Sequence, residues 1–276
     1  MPRSFVRLLA PVLLVALTVL ALPAHASPVL RVGSDISYAP LEFYGAPSHT
    51  MQGFDIDLAR ALGEKLGAPV AIANHQFDSI LNDVSKGTVD LGISAISDTR
   101  AREKQVDFVD YLLVGSGMLV PAGNPKHVFE LGALCGMKVD VQKGTSQETA
   151  IVAQSQKCQD VHLAAIKVHD YTTDDEAFAA FQAGKTDVHV TDYPVVAYLA
   201  KTMGGGTKYQ AAGRQFALVP YGIAVEKDNA PLRSRVVAAI HALIADGTYA
   251  RLLKKWGLEQ GALRSAPINA GTLFDK

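Results

Sequence analysis

The sequence contains one helix–glycine–strand pattern twice, and this repeat restricts the fold more than any other feature. Residues 80–90 (ILNDVSKGTVD) end a helix, turn at a glycine and start a strand, and residues 177–187 (AFAAFQAGKTD) have the same layout. Gly87 and Gly184 are 97 positions apart, as are the aspartates that end the two segments. Such units recur in any α/β protein, but their shared spacing favours two similar lobes whose strand ends face one cleft, where ligands usually bind.

The first 26 residues predict a cleaved secretion signal. Arg3 and Arg7 form a basic start, residues 8–22 are apolar, and residues 24–26 (AHA) fit the small-x-small cleavage rule. The apolar run is shorter than the roughly 20 residues that span a membrane, and no cysteine follows it as a lipid anchor would require. We therefore expect an exported, soluble protein whose mature chain begins at Ser27.

The length and charge of the mature chain limit its organisation and partners. About 250 residues exceed one ordinary domain of roughly 100–150 residues and suit two lobes. We expect lobe 1 to comprise residues 27–116 and 220–276, and lobe 2 residues 117–219. Segments 114–120 and 219–225 mix small and extended-favouring residues, as a two-strand hinge would. The 24 basic against 27 acidic residues after the signal give no support to nucleic-acid binding, and nothing suggests a dimer interface.

The segment 94–108 (SAISDTRAREKQVDF) says most about function. It follows an apolar strand, and Ser97, Asp98 and Thr99 are N-cap residue types, so a helix is expected to begin there. A helix N-terminus favours an anion, and the Arg102 fork can bind a carboxylate through two parallel bonds. The chain has no G-x-S-x-G or H-E-x-x-H motif. A carboxylate-binding site without catalytic residues is most simply part of a binding protein.

Two cysteines, Cys135 and Cys158, are expected to form a disulfide, because disulfides are the usual state of cysteine pairs in exported proteins. Two buried free thiols are the less favoured alternative. Neither cysteine lies in a C-x-x-C motif and the histidines have no ligand spacing, so no metal or other cofactor is expected.

The chain resembles the bacterial extracellular solute-binding proteins of family 3, which serve polar amino acid ABC importers. The resemblance covers essentially the whole mature chain. It rests on the order and spacing of five motifs: residues 35–41 (DISYAPL), 53–58 (GFDIDL), 97–108 (SDTRAREKQVDF), 144–148 (GTSQE) and 246–249 (DGTY). It implies the type II periplasmic binding protein fold, in which two α/β lobes are joined by a two-strand hinge.

The resemblance also implies which residues hold the ligand's α-amino acid group. Arg102 matches the arginine that binds the α-carboxylate, with hydroxyl contacts from Ser97 in lobe 1 and Ser146 in lobe 2. Asp192 matches the aspartate that binds the α-ammonium. A zwitterion needs one cation and one anion held apart, because desolvated charges are costly unless each is paired.

Three more positions match the part of the family's site that faces the ligand side chain. Tyr38 and Phe77 match aromatic residues that cover its aliphatic part, and Asp35 matches a position that contacts the side-chain ammonium in binders of basic amino acids. Related binders of uncharged ligands also carry an acid there. We therefore expect a polar, possibly basic, L-amino acid.

Each assigned residue also has a purely structural interpretation. Arg102 could be a surface charge, Asp192 could cap the turn before Tyr193-Pro194, Ser146 could be only a helix cap, and the two aromatic residues could belong to the core.

The function that these features predict is capture of an amino acid between the lobes and its delivery to a membrane permease, without catalysis. Periplasmic arogenate or cyclohexadienyl dehydratases resemble the same family and are an alternative. Such an enzyme would need a general acid, for which Glu42 and Glu148 are candidates. A sensor subunit that binds the ligand and signals to a membrane protein is a further alternative.

Overall fold

A computed structural model describes Met1 and residues 28–274, so the predicted signal peptide lies outside the described residues except for Met1. Residues 28–274 form two α/β lobes joined by two long strands. The strands are β1 (Leu30–Ser34), β2 (Ser37–Tyr38), β3 (Glu42–Gly45), β4 (Thr50–Gln52), β5 (Val70–Asn74), β6 (Leu91–Gly92), β7 (Val106–Pro121), β8 (Lys138–Gln142), β9 (Lys167–Tyr171), β10 (Val188–Asp192) and β11 (Tyr209–Glu226).

The main sheet has the strand order β5-β1-β6-β11-β7-β10-β8-β9. Strands β5, β1 and β6 are parallel and belong to lobe 1, whereas β10, β8 and β9 are parallel and belong to lobe 2. Strands β7 and β11 run antiparallel between them and contribute to both lobes. Their pairing is irregular between Ala212 and Val219, where Ala217 has a φ of 47°. The predicted two-strand connection between lobes is confirmed.

The helices are α1 (Phe54–Leu66), α2 (Phe77–Ser85), α3 (Ser146–Asp160), α4 (Asp174–Gln182), α5 (Tyr193–Thr202), α6 (Ala230–Ala245) and α7 (Thr248–Trp256). The last two return to lobe 1, as expected, and pack on α1. Within residues 28–274 no single helix is long and apolar enough to cross a membrane. Helices α6 and α7 reach that length and composition only as a pair, which is bent by 77°.

The repeat in the sequence corresponds to a repeat in the structure. Each copy is a helix followed by a left-handed glycine, with φ of 68° after α2 and 69° after α4. Asp90 accepts a hydrogen bond from Arg31 N at 2.7 Å, and Asp187 accepts the equivalent bond from Lys138 N at 2.9 Å. The two aspartates therefore fix neighbouring parallel strands in the same way in each lobe.

The prediction that a helix begins at residues 97–99 is wrong. Residues 96–98 are extended along β11, because Gly222 N donates to Ile96 O at 2.9 Å and Asp98 N donates to Pro220 O at 2.8 Å. Only a 3₁₀ turn follows before β7 begins. The backbone groups that a helix would satisfy are already satisfied by a strand, so an anion here would meet the Arg102 side chain and not a helix N-terminus.

The predicted disulfide between Cys135 and Cys158 is present, with an S–S distance of 1.98 Å. It ties the 3₁₀ turn at Leu131–Leu134 to helix α3 in lobe 2. Within the described ranges, no group of three histidine, cysteine or acidic residues is placed to hold a metal ion.

Candidate functional site

All seven residues predicted to contact a ligand line one narrow cavity between the lobes. The cavity volume is about 10 Å³, which is room for roughly one water molecule. Further residues from both lobes complete its wall: Glu42, Ser94, Ala95, Gln142, Thr145 and Gln147. Several of these residues lie at or just beyond the carboxyl ends of parallel strands, which is the usual ligand position in an open α/β sheet.

The Arg102 guanidinium forms the cationic end of the cavity and joins the lobes. Its Nη1 donates to Ser97 O at 2.9 Å in lobe 1, and its Nη2 donates to Gly144 O at 3.0 Å in lobe 2. The guanidinium also lies 5.4 Å from the centre of the Phe77 ring, within range of a cation–π interaction. Burial lowers the pKa of Arg102 to about 10, so the group stays positively charged at neutral pH.

The two serines assigned to this end meet across the cleft, with 3.0 Å between Ser97 Oγ and Ser146 Oγ. The helix-cap interpretation of Ser146 does not hold, because Thr145 is the N-cap of α3 and accepts from Glu148 N at 3.1 Å. The Ser146 hydroxyl therefore faces the cavity and not the helix end.

The Asp192 carboxylate forms the anionic end. Tyr38 OH donates to Asp192 Oδ2 at 2.8 Å from lobe 1, and Gln147 Nε2 donates to Oδ1 at 2.6 Å from lobe 2. The side chain makes no capping bond to α5, so the structural alternative considered above is not observed. Burial raises the pKa of Asp192 to about 6, although the hydrogen bond from Tyr38 and the charge of Arg102 favour the ionised form.

A third, acidic region surrounds Asp35. Its carboxylate accepts from Ser37 Oγ at 2.9 Å and, across the cleft, from Gln142 Nε2 at 2.6 Å. Burial raises the pKa of Asp35, and the charge of Asp174 in lobe 2 raises it further. Burial and the charges of both these acids also raise the pKa of Asp175 to about 6. This side of the site concentrates negative charge.

Six residues of the cavity wall were not predicted as ligand contacts, and one of them, Glu42, was a candidate only for the general acid of the alternative enzyme. Gln142 ends β8 and Ser94 follows β6, so a polar residue at the end of a parallel strand was the available signal. Gln147 lies one residue beyond the predicted Ser146. Glu42 had no local signal, because Ser94, whose hydroxyl donates to Glu42 Oε1 at 2.9 Å, is 52 residues away.

The general-acid candidates differ in position. Glu148 accepts a hydrogen bond from Gly144 N at 2.7 Å and holds the loop before α3; it is not among the residues that line the cavity. Glu42 lines the cavity and is almost completely buried.

Comparison with known proteins identifies the family. The model of the bacterial extracellular solute-binding proteins, family 3, matches residues 30–259. The arginine-binding protein ArgT of Corynebacterium glutamicum is 31% identical over 244 residues, which are 87% of this chain and 78% of that protein.

Solved structures of similar proteins have the same fold. An ancestral arginine-binding protein bound to arginine superposes with a TM-score of 0.75 at 34% identity, covering 84% of this chain and 99% of that one. The ancestral amino acid-binding protein AncCDT-1, a precursor of cyclohexadienyl dehydratase, superposes with a TM-score of 0.74 at 32% identity, covering 83% and 95%. The chain therefore belongs to the bacterial extracellular solute-binding proteins of family 3.

Proposed function

We propose that this protein captures a basic L-amino acid outside the cytoplasmic membrane and presents it to the permease of an ABC importer. The observation that carries the proposal is the placement of one half-buried cation and one buried anion in the same cleft. Arg102 reaches in from lobe 1 and Asp192 from lobe 2. Groups of opposite charge on opposing walls suit the α-carboxylate and α-ammonium of an amino acid.

The preference for a basic side chain rests on the acidic region. Asp174 lies outside the cavity wall and is 3.6 Å from Nε2 of the buried His189, whose pKa is raised to about 10, so the charge of Asp174 already has a partner. Asp35 lines a cavity that already has separate partners for the two α-groups, and the nearby Asp175 adds to its negative charge. A guanidinium or ammonium would neutralise this charge, whereas an acidic side chain would add to it. The arginine-binding relatives support the same choice.

The proposed mechanism is closure of the lobes about β7 and β11 around the ligand. The division proposed is residues 27–116 and 220–276 for lobe 1 and 117–219 for lobe 2, so both crossings fall inside the two long strands. The irregular pairing between Ala212 and Val219 is where the strands have the fewest regular bonds to break.

The first test is thermal stability of the mature protein, refolded to remove carried-over ligand, in the presence of each of the twenty L-amino acids, ornithine, arogenate or prephenate. A ligand present at 100 times its Kd stabilises the native state by about 2.7 kcal/mol, which raises the midpoint measurably. We expect arginine, lysine or ornithine to give the largest shift. No shift with any amino acid would refute the proposal.

The site assignment is tested by Arg102→Ala. Losing this cation should weaken binding of the best ligand by about 100-fold, since the carboxylate of the ligand would lose its charged partner in the cleft. Arg264→Ala is the matched control, because Arg264 is exposed. Both variants should keep the parent's circular dichroism spectrum, and equal affinities for the two variants would remove Arg102 from the site.

A dehydratase is the second candidate, favoured by the similarity to AncCDT-1 and by a buried glutamic acid on the cavity wall. Incubation with arogenate or prephenate separates the two functions. Release of phenylalanine or phenylpyruvate would establish the enzyme, whereas stabilisation by basic amino acids without turnover supports the receptor.

A further inference from the structure

Two buried acids from different elements of lobe 1 interact with each other, and one of them, Glu42, lines the cavity. Glu42 in β3 and Asp55 in α1 are each 1% exposed. One oxygen of each is already occupied: Glu42 Oε1 accepts from Ser94 Oγ at 2.9 Å, and Asp55 Oδ2 accepts from Ala95 N at 2.7 Å and Tyr111 OH at 2.8 Å. These bonds reach the segment that carries the ligand-contacting residues.

The other oxygens of the pair, Glu42 Oε2 and Asp55 Oδ1, are also buried. Among the described residues, no N–H or hydroxyl group donates to either of them. The two carboxyl groups instead interact with each other. Two carboxylate oxygens are both acceptors and would repel, so a hydrogen bond between them requires a proton.

The surrounding donors indicate which acid holds that proton. Asp55 accepts an N–H and a hydroxyl at one oxygen, and such donors stabilise the ionised form. Glu42 accepts a single hydroxyl, while burial and the charge of Asp55 raise its pKa well above the ordinary value. These contacts favour Glu42 over Asp55 as the neutral member of the pair.

The contacts of this pair extend to the ligand contacts. Ser94 Oγ donates to Glu42 and accepts from Asp35 N at 2.9 Å, so Glu42 fixes the loop that presents the Asp35 carboxylate. Asp55 fixes Ala95, whose φ of 47° is unfavourable for a residue with a Cβ. We propose that a single proton shared by Glu42 and Asp55 holds the Asp35 loop and the Ser94–Ala95 turn in their ligand-binding positions.

In this proposal Glu42 is a positioning residue that acts through Ser94, and its role in ligand binding rests on the function proposed above. The titratable groups that act on the pair from neighbouring elements are Asp35, after β1, and Tyr111, in β7. Ionisation of Glu42 would place a second buried negative charge beside Asp35 and remove the donor to Asp55.

The proton can be observed without any ligand. A neutral carboxylic acid has an infrared carbonyl band that a carboxylate lacks, so the difference spectrum between the parent and Glu42→Gln at pH 7 isolates this pair. We expect the parent to show a band that the variant has lost. Identical spectra would mean that the pair holds no proton, and would overturn the inference whether or not the protein binds amino acids.

The positioning role is tested with L-arginine as the probe. Glu42→Ala removes both the acceptor for Ser94 and the donor to Asp55, and should weaken arginine binding by about tenfold or more. Glu42→Gln keeps both, since its carbonyl can accept and its amide can donate, and should recover most of that loss.

A pH profile distinguishes the shared proton from simple packing. The ammonium of arginine titrates equally with both proteins, so the ratio of parent to Glu42→Gln affinity reports on the pair alone. We expect this ratio to fall as the pH rises through the raised pKa of Glu42, because only the parent can lose the proton. A Gln variant as weak as the Ala variant would overturn the positioning role. If arginine does not bind at all, the proposed function fails and the infrared result still decides the proton.

Discussion

Asp192 and Arg102 show what single residues reveal about a site of this kind. Both were predicted as ligand contacts because charged residues in family motifs are visible in the sequence, and the structure brings both into one cavity. Gln142 lines the same cavity and was missed, and Glu42 was named only as a candidate general acid of the alternative enzyme. A neutral amide and a buried acid carry no local pattern, and Gln142 meets Asp35 across 107 residues of chain. Contacts of this range depend on the completed fold.

The pKa of Asp192 predicts how binding responds to acid. Burial raises it to about 6, and a ligand ammonium binds the ionised form. Lowering the pH from 7 to 5 leaves about a tenth of this carboxylate ionised, so affinity should fall by about tenfold. Isothermal titration with arginine at both pH values measures the change, and in Asp192→Asn the already weakened affinity should depend less steeply on pH over this range, in which Asp175 still titrates. A parent affinity that does not change with pH would contradict the assignment of Asp192.

At the scale of elements, the repeated helix–glycine–strand unit could be predicted from the sequence, whereas the structure of the segment that follows its first copy could not. The glycines after α2 and α4 and the aspartates that follow them occupy equivalent positions, as the shared spacing predicted. The helix expected at residue 97 is absent because partners distant in the chain compete for that segment. Asp98 has an N-cap side chain but accepts from Gly271 N at 2.8 Å, and its own N–H pairs with β11.

The C-terminal turn that binds Asp98 also binds a second buried acid. Ala270 N donates to Asp110 Oδ2 at 3.2 Å. Burial raises the pKa of Asp98 to about 7, and burial and the charge of Asp98 raise the pKa of Asp110 to about 8. Both values exceed the unfolded value near 4, so between these pH values the native state binds more protons than the unfolded state.

The free energy of unfolding should therefore contain a contribution from this pair that is complete below pH 4 and is lost as the pH rises to 8. Asp110→Asn keeps a donor for Asp98 without a titrating proton, so its stability should depend less steeply on pH. Urea unfolding at pH 5, 6.5 and 8 compares the two proteins. Parallel pH dependences would show that Asp110 does not bind the extra proton.

The disulfide should contribute stability without affecting the site. Cys135 and Cys158 close a loop of 23 residues in lobe 2, for which the chain-entropy model gives about 3 kcal/mol. A double serine variant should unfold at lower urea concentration by that free energy and retain its arginine affinity. A large loss of affinity would mean that helix α3, which carries Ser146 and Gln147, depends on the crosslink for its position.

At the scale of the whole molecule, two lobes with a cleft between them were predictable, because repeated α/β units and export limit the possible folds. The extent of closure could not be predicted, because it depends on side chains of opposite lobes that come into contact only when the lobes approach each other. Tyr38 OH contacts Asp192 Oδ2 and Thr191 Oγ1, at 2.8 and 2.7 Å, and Gln142 contacts Asp35. The lobes hold each other closed through groups of the protein itself.

Tyr38→Phe should shift the ligand-free protein toward an open form, because three hydroxyl contacts across the cleft disappear: those to Thr191 Oγ1 and Asp192 Oδ2 and the hydrogen bond accepted from Asp192 N. Small-angle X-ray scattering should report a larger radius of gyration for the variant than for the parent. Tyr249→Phe is the control, since the Tyr249 hydroxyl contacts Tyr111 O within lobe 1. Scattering curves that coincide for all three proteins would show that the Tyr38 hydroxyl does not contribute to closure.

The bonds across the cleft occupy the same groups that are proposed to bind the ligand, so the protein's own side chains and backbone compete with the ligand for these groups. Asp192 is already satisfied by Tyr38 and Gln147, Asp35 by Gln142, and the Arg102 guanidinium by two backbone oxygens. The affinity of a solute therefore depends on how much more strongly it binds these groups than the protein's own partners do. It also depends on the fraction of molecules that are open. A solute that lacks the carboxylate or the ammonium forms too few new bonds to replace those that it breaks between the lobes. The ligand-free protein therefore already selects against solutes that lack one of these two groups.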